Sequence, residues 1–210
     1  MEVELKYKLK DRSELENIWE DDFLKGIEEK GSREKILMKA SYFDTEDSVL
    51  SKNDIAFRVR MEGSRMVASL KWNDKDAGIG GLHIREELNV PVTDAASFIA
   101  PKADIFKESE VGRDLLEVLD GKPLVSIMEI NFLRSKARVD VNDCICEVSL
   151  DEGEIVTDKG TLSILEMEVE LFTGEQKNLL ELGDRLVEKY DLKPEVKSKY
   201  SRGLELINEQ

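Results

Sequence analysis

Glu2-Val3-Glu4-Leu5-Lys6-Tyr7 alternates charged and apolar residues from the second position onward. A two-residue period belongs to an extended strand, whose successive side chains point to opposite faces, so the stretch reads as a strand with one charged and one apolar face. The same division recurs along the chain. In 54–62, Ala56, Arg58, Arg60 and Glu62 oppose Ile55, Phe57, Val59 and Met61; in 65–72, Val67, Ser69 and Lys71 oppose Ala68, Leu70 and Trp72. In 82–90, His83, Arg85, Glu87 and Asn89 oppose Leu82, Ile84, Leu88 and Val90. Arg134, Lys136 and Arg138 then oppose Leu133, Ala137 and Val139; Glu147, Ser149 and Asp151 oppose Cys146, Val148 and Leu150; Glu166, Glu168 and Glu170 oppose Leu165, Met167, Val169 and Leu171.

Between these segments the pattern changes. Ser13, with Glu16 three residues on, reads as the capped start of a helix near 12–25, whose Leu15, Ile18, Trp19 and Phe23 form an apolar stripe. An extended segment covers 33–44, and Asp47, Ser48, Ser51, Lys52 and Asn53 read as a polar loop. Gly63-Ser64 reads as a hairpin turn, Asp74–Gly81 as a polar loop, and Pro91 as the end of the strand 82–90. Asp94–Phe106 and Gly112–Leu119 are helical pieces that stop at Gly121-Lys122-Pro123. Strands follow at 124–141, 144–150 and 162–172, the first pair turning at Asn142-Asp143, then helices at Glu175–Tyr190 and Ser198–Ile207. About eight strands with few inserted helices predict an α+β, mainly antiparallel fold, open or closed on itself.

The 210 residues, 40% of them hydrophobic, suit one domain spanning 1–210. The net charge of −15 repels nucleic acid and anionic membrane, so an anionic partner requires a local basic pocket. No apolar run approaches the length of a membrane span and no cleavable leader opens the chain, which predicts a cytoplasmic protein. Cys144 and Cys146 fall on one apolar strand face and read as buried reduced thiols.

A half-buried antiparallel sheet normally turns its polar side to water. Here, however, Arg/Lys blocks and carboxylate blocks are segregated by strand, without the Thr and Gln that usually dilute an exposed face. Three glutamates at alternate positions also repel, since charges 4 Å apart interact by about 4 kcal/mol at an effective dielectric near 20. A cation relieves that repulsion. If the sheet closes with these faces inward, it forms a barrel with a polar bore, suited to a multiply charged anion on the basic strands and a hard metal ion on the carboxylates. An oxygen-only donor set without a His or Cys cluster favours Mg²⁺ or Mn²⁺ over zinc.

Taken together, Glu2-x-Glu4-x-Lys6, Tyr42-Phe43-Asp44-Thr45, Arg58-x-Arg60, Ser69-Leu70-Lys71, Arg85-x-Glu87, Arg134-x-Lys136, Asp151 and Glu168-x-Glu170 occur in an order that resembles the CYTH proteins, or triphosphate tunnel metalloenzymes. The resemblance covers essentially the whole chain and implies an eight-stranded closed β-barrel with helices packed outside. Gly81-Leu82-His83-Ile84-Arg85, Glu166–Leu171 and Ser198–Gly203 are most similar to the bacterial inorganic triphosphatase branch, whose members often carry a second, helical domain.

The resemblance implies that Lys6, Arg58, Arg60, Lys71, Arg85, Arg134, Lys136 and Lys199 bind the phosphoryl oxygens. Lys6, Lys199 and Asp151 would take catalytic roles; Glu2, Glu4, Glu168 and Glu170 would hold Mg²⁺ or Mn²⁺; Glu87, Glu147 and Glu166 would be supporting acids. His83 has bore parity but reads as a rim residue, and Lys8 and Arg138 are left outside the set. These eight bases and eight acids draw equally on the 31 basic and 46 acidic residues, so the whole −15 lies outside the bore. The implied reaction is hydrolysis of inorganic triphosphate to pyrophosphate and phosphate. A class IV-type adenylate cyclase, a nucleoside or thiamine triphosphatase, and a non-catalytic polyphosphate or nucleotide binding module are the alternatives. The implied partner is a small polyanion, not nucleic acid or membrane, and a homodimer is admitted.

Overall fold

The computed structural model describes residues 1–76, 80–141 and 143–209, and no side chain within 74–76. The alternating segments become strands β1 (Glu2–Lys8), β2 (Glu34–Asp44), β3 (Ala56–Glu62), β4 (Arg65–Asp76), β5 (Leu82–Val92), β6 (Val125–Val141), β7 (Cys144–Thr157), β8 (Gly160–Thr173) and the two-residue β9 (Lys193–Pro194). Every pairing is antiparallel, in the order β5-β4-β3-β2-β6-β7-β8-β1, and β1 pairs with β5 again to close an eight-stranded barrel, with β9 added to β1. Closure rests on four partners, Glu2↔Arg85 to Leu5↔Leu82.

Helices α1 (Arg12–Glu20), α2 (Asp22–Ile27), α3 (Val49–Lys52), α4 (Glu110–Leu119) and α5 (Gln176–Tyr190) lie outside the wall, whereas Lys199, Tyr200, Ser201 and Leu204 of α6 (Lys199–Asn208) line the interior. None of the described helices is long and apolar enough to cross a membrane. The wall's apolar face is buried against them. Leu5, Tyr7, Val148 and Val169 pack with α5 residues Leu179, Leu182 and Leu186, all 0% exposed, each contributing about 1.5–3 kcal/mol by leaving water. Phe43, Phe57, Val59 and Leu70 pack with Leu115 and Leu119 of α4. Cys144 and Cys146 are buried and free, their sulfurs 3.6 Å apart.

Several local expectations are corrected. The helix predicted over 12–25 breaks at Asp21, which ends α1 and caps α2 by accepting from Phe23 N–H at 2.7 Å. Its start is capped by Asp11, not Ser13, because the Asp11 carboxylate accepts from Glu14 N–H. The polar loop after residue 45 contains α3, whose Leu50 and Ser51 N–H groups bond the Asp44 carboxylate. The region 94–106 forms two short 3₁₀ turns, and α4, capped by Ser109, starts at Glu110, two residues before Gly112. Strand β5 continues through Pro91, since β1 covers only Leu82–Arg85 and the later part of that edge needs no donor. β4 runs to Asp76, into the predicted loop 74–81, of which 77–79 lie outside the described residues, as does Asn142 of the predicted turn.

The strands expected at 144–150 and 162–172 reach 157 and 160, because Asp151-Glu152-Gly153-Glu154 continues the strand. Gly153 faces Phe132 across the ladder, and a Cβ there would lie 2.1 Å from Asn131 O and 2.5 Å from Phe132 Cα. The glycine permits close backbone approach with no side chain between. Gly153→Val is expected to destabilise the protein by about 2 kcal/mol or more, because rigid backbone must give way. Urea unfolding measures this, and an unchanged midpoint would refute it.

Candidate active site

The charged faces converge. A cavity of about 570 Å³ inside the barrel is lined by eight acids, Glu2, Glu4, Asp54, Glu62, Glu87, Glu147, Glu168 and Glu170, and eight bases, Lys6, Arg58, Arg60, Lys71, Arg85, Arg134, Lys136 and Lys199. All eight bases expected from the sequence line it. Of the expected acids, Asp151 and Glu166 do not line it: at 0% and 1% exposure they lie behind Arg134 and Lys199, while Asp54 and Glu62 take their places in the lining.

Two groups of ion pairs organise the lining. In the first, Lys71 donates to Glu2 at 2.9 Å and faces Glu87 at 3.1 Å, Arg85 bonds Glu2 and donates to Glu4 at 2.7 Å, and Arg58 donates to Glu87 at 3.2 Å. Burial opposes ionisation of Glu2, but Lys71 and Arg85 hold its pKa far below the usual carboxylate range. Burial with Arg58 and Arg85 lowers the Lys71 pKa. Burial and the neighbouring Arg58 lower Arg60 to about 10.

In the second group, Lys6 donates to Glu168 at 2.5 Å and lies 3.0 Å from Glu4, while Arg134 grips Asp151 with two bonds of 2.8 and 2.7 Å and also bonds Glu168. Lys199 donates to Asp151 at 2.7 Å and Glu168 at 2.9 Å and is ion-paired with Glu166, which Arg202 also bonds. Burial disfavours the Lys199 ammonium, but Asp151, Glu166 and Glu168 hold its pKa far above normal. Burial likewise opposes the Glu168 charge, and Lys199, Lys6 and Arg134 hold it well below normal. At the lining's margin Lys136 donates to Glu147 at 3.1 Å.

Glu170 is different. It faces Glu4 on β1 and Glu147 on β7, so three carboxylates run side by side across the wall. Burial, then Glu2 and Glu4, push its pKa up to about 7. Among the described residues it has neither a hydrogen bond nor an ion pair from its carboxylate.

Sequence reasoning missed the opposite sector of the cavity, which is apolar: Ile36, Met38 and Ala40 of β2, Ile130 and Phe132 of β6, and Leu204 of α6. In β2 the polar alternation Lys35, Lys39 points to solvent and the apolar one inward, the reverse of β1; the period was visible, its direction was not. Tyr42 and Tyr200 stack at 5.1 Å, and Arg58 lies 3.4 Å from the Tyr42 hydroxyl. Arg202 was missed too. His83 is 2% exposed rather than at the rim, its Nε2 3.0 Å from Glu195 O. Lys8 and Arg138, left outside the set, are more than half exposed on side chains that meet Glu195 and Glu29.

A family model described as the CYTH domain matches residues 1–204. The chain is 28% identical over 182 residues to an inorganic triphosphatase of Haemophilus influenzae, covering 84% of this chain and 48% of that protein, so it spans about half the relative's length. Among solved structures, a protein from Hippeastrum described as having a dominant triphosphatase activity superposes with a TM-score of 0.68 at 20% identity, over 98% of this chain and 96% of the other. The PH1819 protein of Pyrococcus horikoshii superposes with a TM-score of 0.59 at 18% identity, over 98% and 99%. At such identities these two likenesses bear on the fold.

The Glu170 shift has a consequence for stability. A carboxyl raised from 4.5 to about 7 on folding stabilises fully below 4.5, and that contribution is lost as pH rises through about 7. Without divalent ions, the protein should lose on the order of 2–3 kcal/mol from this group between about pH 5 and 8, and Glu170→Gln should lose none of it. Urea unfolding across that range compares the two; parallel pH profiles would mean that Glu170 is ionised throughout.

Proposed function

Because the chain belongs to the CYTH domain family, we propose that it is a metal-dependent phosphoanhydride hydrolase that cleaves inorganic triphosphate to pyrophosphate and phosphate, with residues 1–210 acting as one domain. The observation that carries this reading is a barrel interior in which eight cationic side chains line one cavity while a carboxylate beside them, Glu170, makes no ion pair among the described residues. A module that only bound anions would gain nothing from a buried glutamate row.

The donor set fits a hard divalent cation. Glu170 with Glu2 and Glu4 offers oxygens only, and burial, then repulsion from Glu2 and Glu4, raises Glu170. Glu168, the fourth carboxylate for which the resemblance implies metal binding, is already engaged by Lys6, Arg134 and Lys199. When bound, Mg²⁺ or Mn²⁺ would supply Lewis-acid charge neutralisation and a more acidic water.

The chain's own residues do the rest. Arg58, Arg60, Lys71, Arg85 and Lys136 exchange glutamate partners for phosphoryl oxygens, Arg as a fork and Lys as a point charge. Lys6 and Arg134, fixed by Glu168 and Asp151, stand where charge develops on the transferred phosphoryl. Asp151 orients Arg134 and does not itself touch substrate. The apolar sector lowers the local dielectric and strengthens each of these interactions. That sector, with Tyr42 and Tyr200, also favours a second reading in which the triphosphate carries an organic group such as a nucleoside or thiamine.

Phosphate release from tripolyphosphate, ATP and thiamine triphosphate with Mg²⁺ or Mn²⁺ tests the proposal. Tripolyphosphate should turn over fastest, with one pyrophosphate per phosphate, and chelation should abolish it. Arg58→Ala and Lys71→Ala should each lower kcat/KM by about 10- to 100-fold, the loss of one or two charged hydrogen bonds. Faster hydrolysis of an organic triphosphate favours the second reading, cyclic AMP formation a cyclase, and tight binding without turnover a binding module.

A further inference from the structure

Arg202 does not line the cavity, yet it stands directly behind a residue that does. It lies one helical turn along α6 from Lys199, so both side chains leave the same face of the helix. Both meet Glu166, a carboxylate only 1% exposed: Arg202 Nη2 bonds its Oε2, and Lys199 is ion-paired with its Oε1. The other arm of the guanidinium, Nη1, lies 3.6 Å from Oε2 of Glu195, which is also buried. Glu195 is anchored in turn. Its N–H donates to Lys6 O at 2.9 Å, its carbonyl lies 3.0 Å from His83 Nε2, and its carboxylate accepts from Lys197 N–H at 3.1 Å.

The charges behind Lys199 balance only when Arg202 is included. Asp151, Glu166, Glu168 and Glu195 are buried carboxylates, and the well-buried cations that meet them are Lys6, Arg134, Lys199 and Arg202. Lys8, the remaining cation on Glu195, is 58% exposed. Lys199 donates hydrogen bonds to Asp151 and Glu168, whereas Glu166 Oε1 accepts no hydrogen bond and meets the ammonium by charge alone. A lysine carries three N–H donors, so one is open to a phosphoryl oxygen in the cavity that Lys199 lines. A carboxylate taken out of water needs a counter-charge. Without Arg202, Glu166 would have Lys199 alone, and the ammonium would be drawn back toward it and away from the cavity.

We propose that Arg202 is a positioning residue for phosphoryl binding: by neutralising Glu166 it leaves the Lys199 ammonium free to present an N–H to the anion. Arg202 acts through Glu166 and touches neither substrate nor metal. The proposal rests on the reading of the preceding subsection only in that the cavity takes a phosphoryl anion.

Two measurements with tripolyphosphate test it, Kd by calorimetry in chelator and KM for hydrolysis in Mg²⁺. Arg202→Gln should raise both by about 10-fold. In a Glu166→Gln background, where no charge is left to neutralise, the same substitution should cost less than about twofold. Arg202→Lys, which keeps the charge, should recover most of the loss. An equal loss in both backgrounds would mean that the guanidinium acts on the anion by its own field, and that result overturns the proposal. Should Arg202→Gln not fold, Arg202→Lys decides: a folded Arg202→Lys weakened by about 10-fold or more overturns it, since charge at this place would then not suffice. A wild type that neither binds nor hydrolyses tripolyphosphate removes the preceding reading and this proposal with it. A wild type that does, beside a folded Arg202→Gln with unchanged Kd and KM, removes this proposal alone.

Discussion

A charge taken out of water must meet an opposite charge or be neutralised, since the unpaired ion costs several kcal/mol. The barrel turns sixteen acidic and basic side chains onto one cavity, and this constraint decides how they lie. Arg134 reaches across the ladder to its partner Asp151, Lys6 pairs with its partner Glu168, and Glu2 with its partner Arg85. Register and charge pairing are therefore one arrangement. A slip of one residue in β1 would turn Val3, Leu5 and Tyr7 into the cavity and Glu2, Glu4 and Lys6 into the helix-covered core. Such buried pairs add little net stability compared with apolar residues, so the fold is held by the outer wall packed on α4 and α5, and the interior is tolerated by that wall.

The outer wall explains why the barrel can close on so short a seam. β1 and β5 share four residue pairs, but Leu5 and Leu82 at that seam are buried in the same cluster as Leu179, Leu182 and Leu186 of α5. Helix packing, more than ladder length, holds the edges together. Elsewhere the long β6, β7 and β8 cross the cavity wall without a break because Gly153 lets two backbones meet at Phe132. That ring in turn backs Arg134 and Lys199, whose charged ends lie 5.3 and 4.9 Å from its centre.

Much of this was legible in the sequence, for an identifiable reason. Alternation of charge with aliphatic residues in β1, β3, β5, β7 and β8 assigned both a strand and a face, while closure came from the family resemblance. What alternation lacks is direction. In β2 the same period runs with its apolar side inward, because Ile36, Met38 and Ala40 meet α6 and β6 rather than an outer helix, and only tertiary contact could say so. Parity also cannot report depth. Asp151 and Glu166 share a face with lining residues yet lie behind them, since Lys199 and Arg202 arrive from α6 and cover them. Asp151-Glu152-Gly153-Glu154, unassigned by sequence alone, continues β7 because its glycine serves close packing.

The division of the cavity into a charged and an apolar sector gives the charges their strength. Coulomb energy scales inversely with the effective dielectric, so the same Arg58 or Lys71 is worth several times more beside Ile130 and Met38 than beside water. Tyr42 registers that field. Burial alone would raise its pKa, yet Arg58 and Lys71 bring it below normal, so their positive potential reaches the boundary between the sectors. At the other side of the lining the carboxylate row does the opposite to Glu170. Potential of opposite sign is thus held at two places in one cavity by side chains that cannot relax without breaking their own pairs. An anion with a divalent counter-ion matches this field better than either ion alone, and a preorganised field of this kind is what charge development on a phosphoryl group requires.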